Sequence, residues 1–131
     1  MSYDQNKPEN AMVGEVIRLA MKVHSRFGPG LLESAYRECL AYELRKAGYT
    51  VETEKSLPLI YEEIRLEHGY RMDLLVNSIL VVEIKTVDQL IDVHFAQVKT
   101  YLAVGEYKLG LILNFKVAHL RDGIRRVANK L

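Results

Sequence analysis

The chain has 131 residues, enough for one domain with a single substantial core. Its balance of 49% hydrophobic and 27% charged residues is that of an ordinary globular protein, and no apolar run is long enough to cross a membrane. A formal net charge of +1 excludes a broadly basic surface that grips nucleic acid through its phosphates alone, and the lone Cys39 excludes an intrachain disulfide, which fits a reducing, cytoplasmic setting.

Residues 1–9 are polar and read as a flexible tail ahead of a single domain at 10–131. A first helix is expected from Asn10, a good N-cap, to Phe27, with Val13, Ile17, Ala20, His24 and Phe27 on one stripe. Gly28-Pro29-Gly30 ends it, because proline cannot continue a helix and glycine permits a sharp turn. A second helix is expected from about Leu31 to Gly48, its apolar stripe formed by Tyr36, Leu40, Leu44 and Ala47. Glu33 lies on that same stripe, where a carboxylate is costly unless it meets a polar site. Thr50 to Lys55 alternates and reads as a strand; Leu57–Tyr61 and Ile64–Leu66 read as a further hairpin across Glu62-Glu63.

Tyr70 to Lys85 is the informative stretch. Two apolar strands are joined by a polar turn, yet Asp73 is embedded in the first and Glu83 and Lys85 in the second. Glu83 and Lys85 are two apart and so share a face of the sheet. A two-residue turn at Asn77-Ser78 would oppose Asp73 to Val82 and set the carboxylates on opposite faces. An odd-length loop or a bulge near Asn77–Ile79 is therefore expected, opposing Asp73 to Glu83. Two carboxylates so placed repel each other and gain most from a hard divalent cation. The alternative on residues alone is structural Glu–Lys and Asp–Arg pairing at a sheet edge.

After a polar connection at Thr86–Leu90, a helix is expected from about Ile91 to Val104, with His94, Gln97 and Tyr101 on one face. Lys108 to Phe115 reads as a buried strand. Leu120 to Leu131 is open between strand and helix, and its Arg121, Arg125, Arg126 and Lys130 read as a solvated face. This order predicts an α/β fold: a three-layer sandwich with a mixed central sheet flanked by helices, including a right-handed parallel crossover from the Glu83 strand to the Lys108 strand.

Asp73, nine residues, then Glu83-Ile84-Lys85 resembles the active-site signature of the PD-(D/E)XK nuclease superfamily. The resemblance implies a restriction-endonuclease-like core in which Asp73, Glu83 and the backbone carbonyl of Ile84 bind Mg²⁺ or Mn²⁺ while Lys85 positions and activates water. Gln97 and Tyr101 match a QxxxY motif of exonuclease-like members, where the pair holds phosphate or the lysine amine. Glu33 matches the early-helix glutamate that completes the metal site. Gly30, Glu33 and Tyr36 spell GxxExxY. With Gly69-Tyr70-Arg71-Met72-Asp73, His94-Phe95-Ala96-Gln97 and Leu109-Gly110-Leu111-Ile112-Leu113-Asn114-Phe115, the chain is identified as a member of the GxxExxY family. His24 is carried as a further candidate metal ligand, against the reading of a hydrogen-bonded core histidine. The activity implied is metal-dependent hydrolysis of phosphodiester bonds in DNA or RNA, with no membrane partner. The alternative is a catalytically silent nuclease-fold module that binds a protein or nucleic-acid partner. A homodimer is compatible with either.

Overall fold

The computed structural model describes residues 7–130. Helix α1 spans Pro8–Phe27 and α2 spans Glu33–Lys46. Strands β1 (Val51–Tyr61), β2 (Ile64–Val76) and β3 (Leu80–Lys85) follow, then α3 (Asp92–Gly105), β4 (Leu109–Asn114), one 3-10 turn (Leu120–Gly123) and β5 (Ile124–Ala128). The five strands form one sheet in chain order. β3 and β4 are parallel across α3, and the other neighbours are antiparallel. The expected mixed sheet and crossover are present. The tail at Leu120–Leu131 resolves into a helical turn followed by a strand as far as it is described.

The sheet has two different covers. α1 and α2 lie on one face, where Val16, Leu19, Tyr36, Leu40 and Leu44 meet Leu74, Val82, Ile84 and Leu111. On the other face α3 brings Val98, Tyr101 and Leu102 against Met72, Leu75, Val81 and Ile112. β4 is buried along its whole length, as a strand covered on both faces must be. Gly110 permits the close approach of α3: a Cβ there would sit 2.7 Å from Val98 Cγ1.

Three expectations are corrected. The first helix starts at Pro8, not Asn10, since proline is well suited to a first helical position where its missing N–H goes unused. Asn10 is thus not the cap; it is buried in the first turn and accepts from Arg126 of β5. The short strand at Thr50–Lys55 and the hairpin after it are one long ribbon, β1 running on to Tyr61. Pro58 is accommodated because β1 is an edge strand, and the register shifts between Leu57 and Leu59. Finally, Phe27 and Ala47 leave their stripes and are exposed, Phe27 as the last residue of α1 and Ala47 as the C-cap of α2.

Candidate active site

The β2–β3 turn has the predicted odd length. Val76 pairs with Leu80, Leu75 with Val81 and Leu74 with Val82, around a three-residue loop in which Asn77 and Ser78 are left-handed (φ 51 and 60). The next step sets Asp73 against Glu83, but there the side chains take over the ladder. The Asp73 N–H donates to Glu83 Oε1 (2.9 Å), and the Ile84 N–H donates to Asp73 Oδ2 (2.8 Å). Beyond this point β2 pairs with β1, and Glu83 to Lys85 pair with β4. The sheet forks, and the two carboxylates stand in the fork. Alternation breaks here as well: Met72 and Leu75 both pack on the α3 side, three residues apart.

The GxxExxY stretch delivers Glu33 to this fork. The Tyr36 hydroxyl accepts from the Leu31 N–H (3.0 Å) and donates to the Gly28 carbonyl, closing the turn between the helices and fixing where α2 begins. Glu33 is the first residue of α2, half-buried, with the Thr86 N–H at its carboxylate. The Tyr36 ring stacks on Phe115 (4.3 Å, 18°), and the Phe115 N–H holds the Lys85 carbonyl at 2.9 Å. One aromatic stack therefore ties the supports of Glu33 and Lys85 together. Asn114 completes the frame, bonding both the N–H (3.1 Å) and the carbonyl (2.9 Å) of Val87 in the loop that follows Lys85.

Burial dominates the electrostatics. The Glu83 carboxyl is pushed up to about 8 by desolvation and by the charge of Asp73. Asp73 is also raised, burial outweighing the Ile84 N–H and the charges of Arg37 and Lys85. Glu33 is raised by burial and then by Asp73. Lys85, half-buried, lies close enough to act on all three carboxyls. Tyr101 is buried on α3, edge-on to Tyr70 at 5.5 Å, and its hydroxyl is pushed up to about 12 by burial and the nearby carboxylates, so it is a fixed donor at neutral pH.

The structure thus brings together Glu33, Asp73, Glu83, Lys85 and Tyr101. Gln97 stands exposed one turn before Tyr101. His24 is engaged elsewhere: its Nε2 meets the Val117 carbonyl at 2.9 Å, beside the Phe115 ring, and it ties α1 to the loop after β4. His94 closes the start of α3, its Nδ1 accepting from the Ile91 N–H at 3.0 Å. Among the described residues no three His, Cys, Asp or Glu side chains form a ready metal cage. The donor set fits a hard divalent cation all the same. Two apposed carboxyls stay raised by burial despite the charges of Arg37 and Lys85, and hard divalent ions, which keep several water ligands, need few protein donors.

Two residues at the fork, Arg37 and Glu54, lay outside the sequence reading. Arg37, one turn after Glu33, places Nη1 3.7 Å from Asp73 Oδ1 and Nη2 3.4 Å from Glu54 Oε1. Glu54 lies on β1 between Thr53, which pairs with Leu74, and Lys55, which pairs with Met72. Asn114 entered that reading only within the Leu109–Phe115 stretch, with no role of its own.

A forked mixed sheet between helical layers, holding two buried carboxyls and a lysine, defines an α/β protein with a candidate site at the fork. The chain belongs to the PD-(D/E)XK nuclease superfamily, whose family model matches residues 10–127. No curated protein and no solved structure matches the chain. No helix among the described residues is long and apolar enough to cross a membrane.

Proposed function

We propose that this protein hydrolyses phosphodiester bonds in DNA or RNA with the help of Mg²⁺ or Mn²⁺. The observation that carries the reading is the Asp73–Glu83 pair, buried in the fork with Lys85 two residues on. A divalent cation held by Asp73, Glu83 and the Ile84 carbonyl would polarise a phosphoryl oxygen and lower the pKa of a bound water. Glu33 orients water at that position. Lys85 holds the attacking water and offsets the charge that grows on the phosphoryl group. The fixed hydroxyl of Tyr101, with Gln97 one turn away, donates to phosphate oxygens or steadies the Lys85 amine. Hydrolysis forms one bond from the water oxygen to phosphorus and breaks one to the leaving oxygen, which takes up a proton.

The Gly30, Glu33 and Tyr36 spacing, with Tyr36 closing the turn that sets the start of α2 at Glu33, supports membership of the GxxExxY group. The test is Mn²⁺ calorimetry on wild type and Asp73→Asn, followed by cleavage assays on single- and double-stranded DNA and RNA. Binding that vanishes in the variant and cleavage that vanishes in Lys85→Ala are expected. No Mn²⁺ heat with wild type would favour the silent-module reading instead.

A further inference from the structure

We propose that Arg37 and Arg71 form a clamp for a substrate phosphate beside the scissile one, and that Glu54 occupies this clamp until nucleic acid displaces it. The inference rests on the nuclease reading above. Its ground is a convergence of charges from three elements. Arg37 Nη2 from α2 and Arg71 Nη2 from β2 point at the same oxygen, Glu54 Oε1, at 3.4 and 3.5 Å. Two guanidiniums meeting at one anionic oxygen is the arrangement in which arginine forks hold phosphate.

The fit of Glu54 is poor. Charge-assisted N–H to O⁻ bonds run to about 2.7–2.9 Å, well inside both contacts. Arg37 Nε is buried with no hydrogen-bond partner, so Glu54 leaves this guanidinium incompletely satisfied. Glu54 also holds a left-handed backbone (φ 50) within a strand, a conformation that costs a non-glycine residue energy and clusters at functional sites. A phosphate carries more charge and more acceptor oxygens than one carboxylate, so it would use these donors better.

The position suits substrate. Arg37 reaches from the clamp to Asp73 (3.7 Å), which joins it to the fork. A cavity of about 490 Å³ opens beside it, lined by Thr53, Glu54, Ser56, His68 and Arg71. Ser56 Oγ and His68 Nδ1 lie 3.1 Å apart there and offer further polar contacts to a sugar-phosphate chain. Arg71 is 66% exposed, so its removal leaves the core untouched.

The experiment measures affinity without cleavage. A labelled oligonucleotide is titrated by fluorescence anisotropy in EDTA with wild type, Glu54→Gln, Arg71→Ala and Arg71→Lys, across a salt series. Mn²⁺ calorimetry is run on the same proteins, and inorganic phosphate serves as competitor. Glu54→Gln should bind about tenfold tighter, and Arg71→Ala about tenfold more weakly with a log-affinity against log-salt slope smaller by about 1. Arg71→Lys should fall between, having charge without the fork. Wild type that binds Mn²⁺ and oligonucleotide while Glu54→Gln gains nothing, or while Arg71→Ala keeps full affinity and slope, overturns the clamp and leaves the nuclease reading standing. Millimolar phosphate abolishing the gain of Glu54→Gln at unchanged ionic strength would overturn the assignment to polynucleotide, because a free anion would then fill the clamp as well. Wild type and Glu54→Gln that bind neither Mn²⁺ nor oligonucleotide would bring down the nuclease reading and the clamp together.

Discussion

The two ends of the β2–β3 hairpin are built from the same strands and do opposite things. At the turn end, Leu74, Leu75, Val76, Leu80, Val81 and Val82 pair through the backbone and are all buried. One step on, Asp73 and Glu83 take backbone donors with their side chains, and the strands part. The apolar end stabilises by roughly 1.5–3 kcal/mol per side chain. The forked end costs several kcal/mol per buried ion if uncompensated. The site is made by interrupting a ladder, and the unbroken part holds the interruption in place.

The sharpest way to break this contrast is to remove charge at the fork. Lys85→Ala and Asp73→Asn should each cut cleavage by about a thousandfold, a loss of roughly 4 kcal/mol in transition-state stabilisation. Thermal melts of both should stay within a few degrees of wild type. A variant that unfolds would show that the charges support the fold itself.

Next is acidity. With Glu83 raised from the ordinary 4.5 to about 8, the metal-free folded state keeps a proton that the unfolded chain gives up. Its contribution to stability is full below about pH 4.5 and is lost as pH rises through 8. Urea melts in EDTA at pH 5, 7 and 9 should show stability falling by up to about 1.4 kcal/mol per pH unit in that window. Saturating Mn²⁺ should flatten the slope, since a cation replaces the proton, and Glu83→Gln should reduce it to what the raised Asp73 and Glu33 carboxyls leave.

Tyr36→Phe keeps the stack on Phe115 but leaves the Leu31 N–H and the Gly28 carbonyl without the hydroxyl. Stability should drop by about 1–2 kcal/mol. Cleavage should fall by about tenfold because Glu33 loses its anchor. Equal cleavage in the two proteins would detach the Gly30–Tyr36 motif from the site. The smallest effect belongs to the turn end. Ser78→Gly relieves a left-handed residue and should raise stability by less than about 1 kcal/mol with cleavage unchanged, as read from urea midpoints and initial rates.

The fork was legible in the sequence because alternation is a counting rule. The length of the Asn77–Ile79 loop decides whether Asp73 and Glu83 share a face, and the requirement that they do fixed its parity. Glu33 was legible because a carboxylate on an apolar helical stripe needs a polar destination. Arg37 and Glu54 were not. Their pairing depends on how α2 lies over β1, and neither residue breaks a local pattern. His24 had two readings, and its bond to Val117 supports the structural one. The start of α1 was not legible, because Asn10 has the chemistry of a cap and Pro8 lies in a polar stretch that reads as a tail, whereas the helix begins at Pro8. The sequence divides β1 into Thr50–Lys55 and Leu57–Tyr61; the structure runs them as one strand, with a register shift between Leu57 and Leu59 and an edge position that admits Pro58.

The three-residue loop carries a kinetic consequence. Asp73 and Glu83 are separated by 10 positions in the chain, so bringing them together closes a short loop at small entropic cost. Glu33 and Tyr101 must arrive from helices on opposite faces of the sheet, after longer searches. Assembly of this centre should therefore run from its middle outward, with the carboxyl pair formed on the timescale of a hairpin and the flanking groups joining as each helix docks.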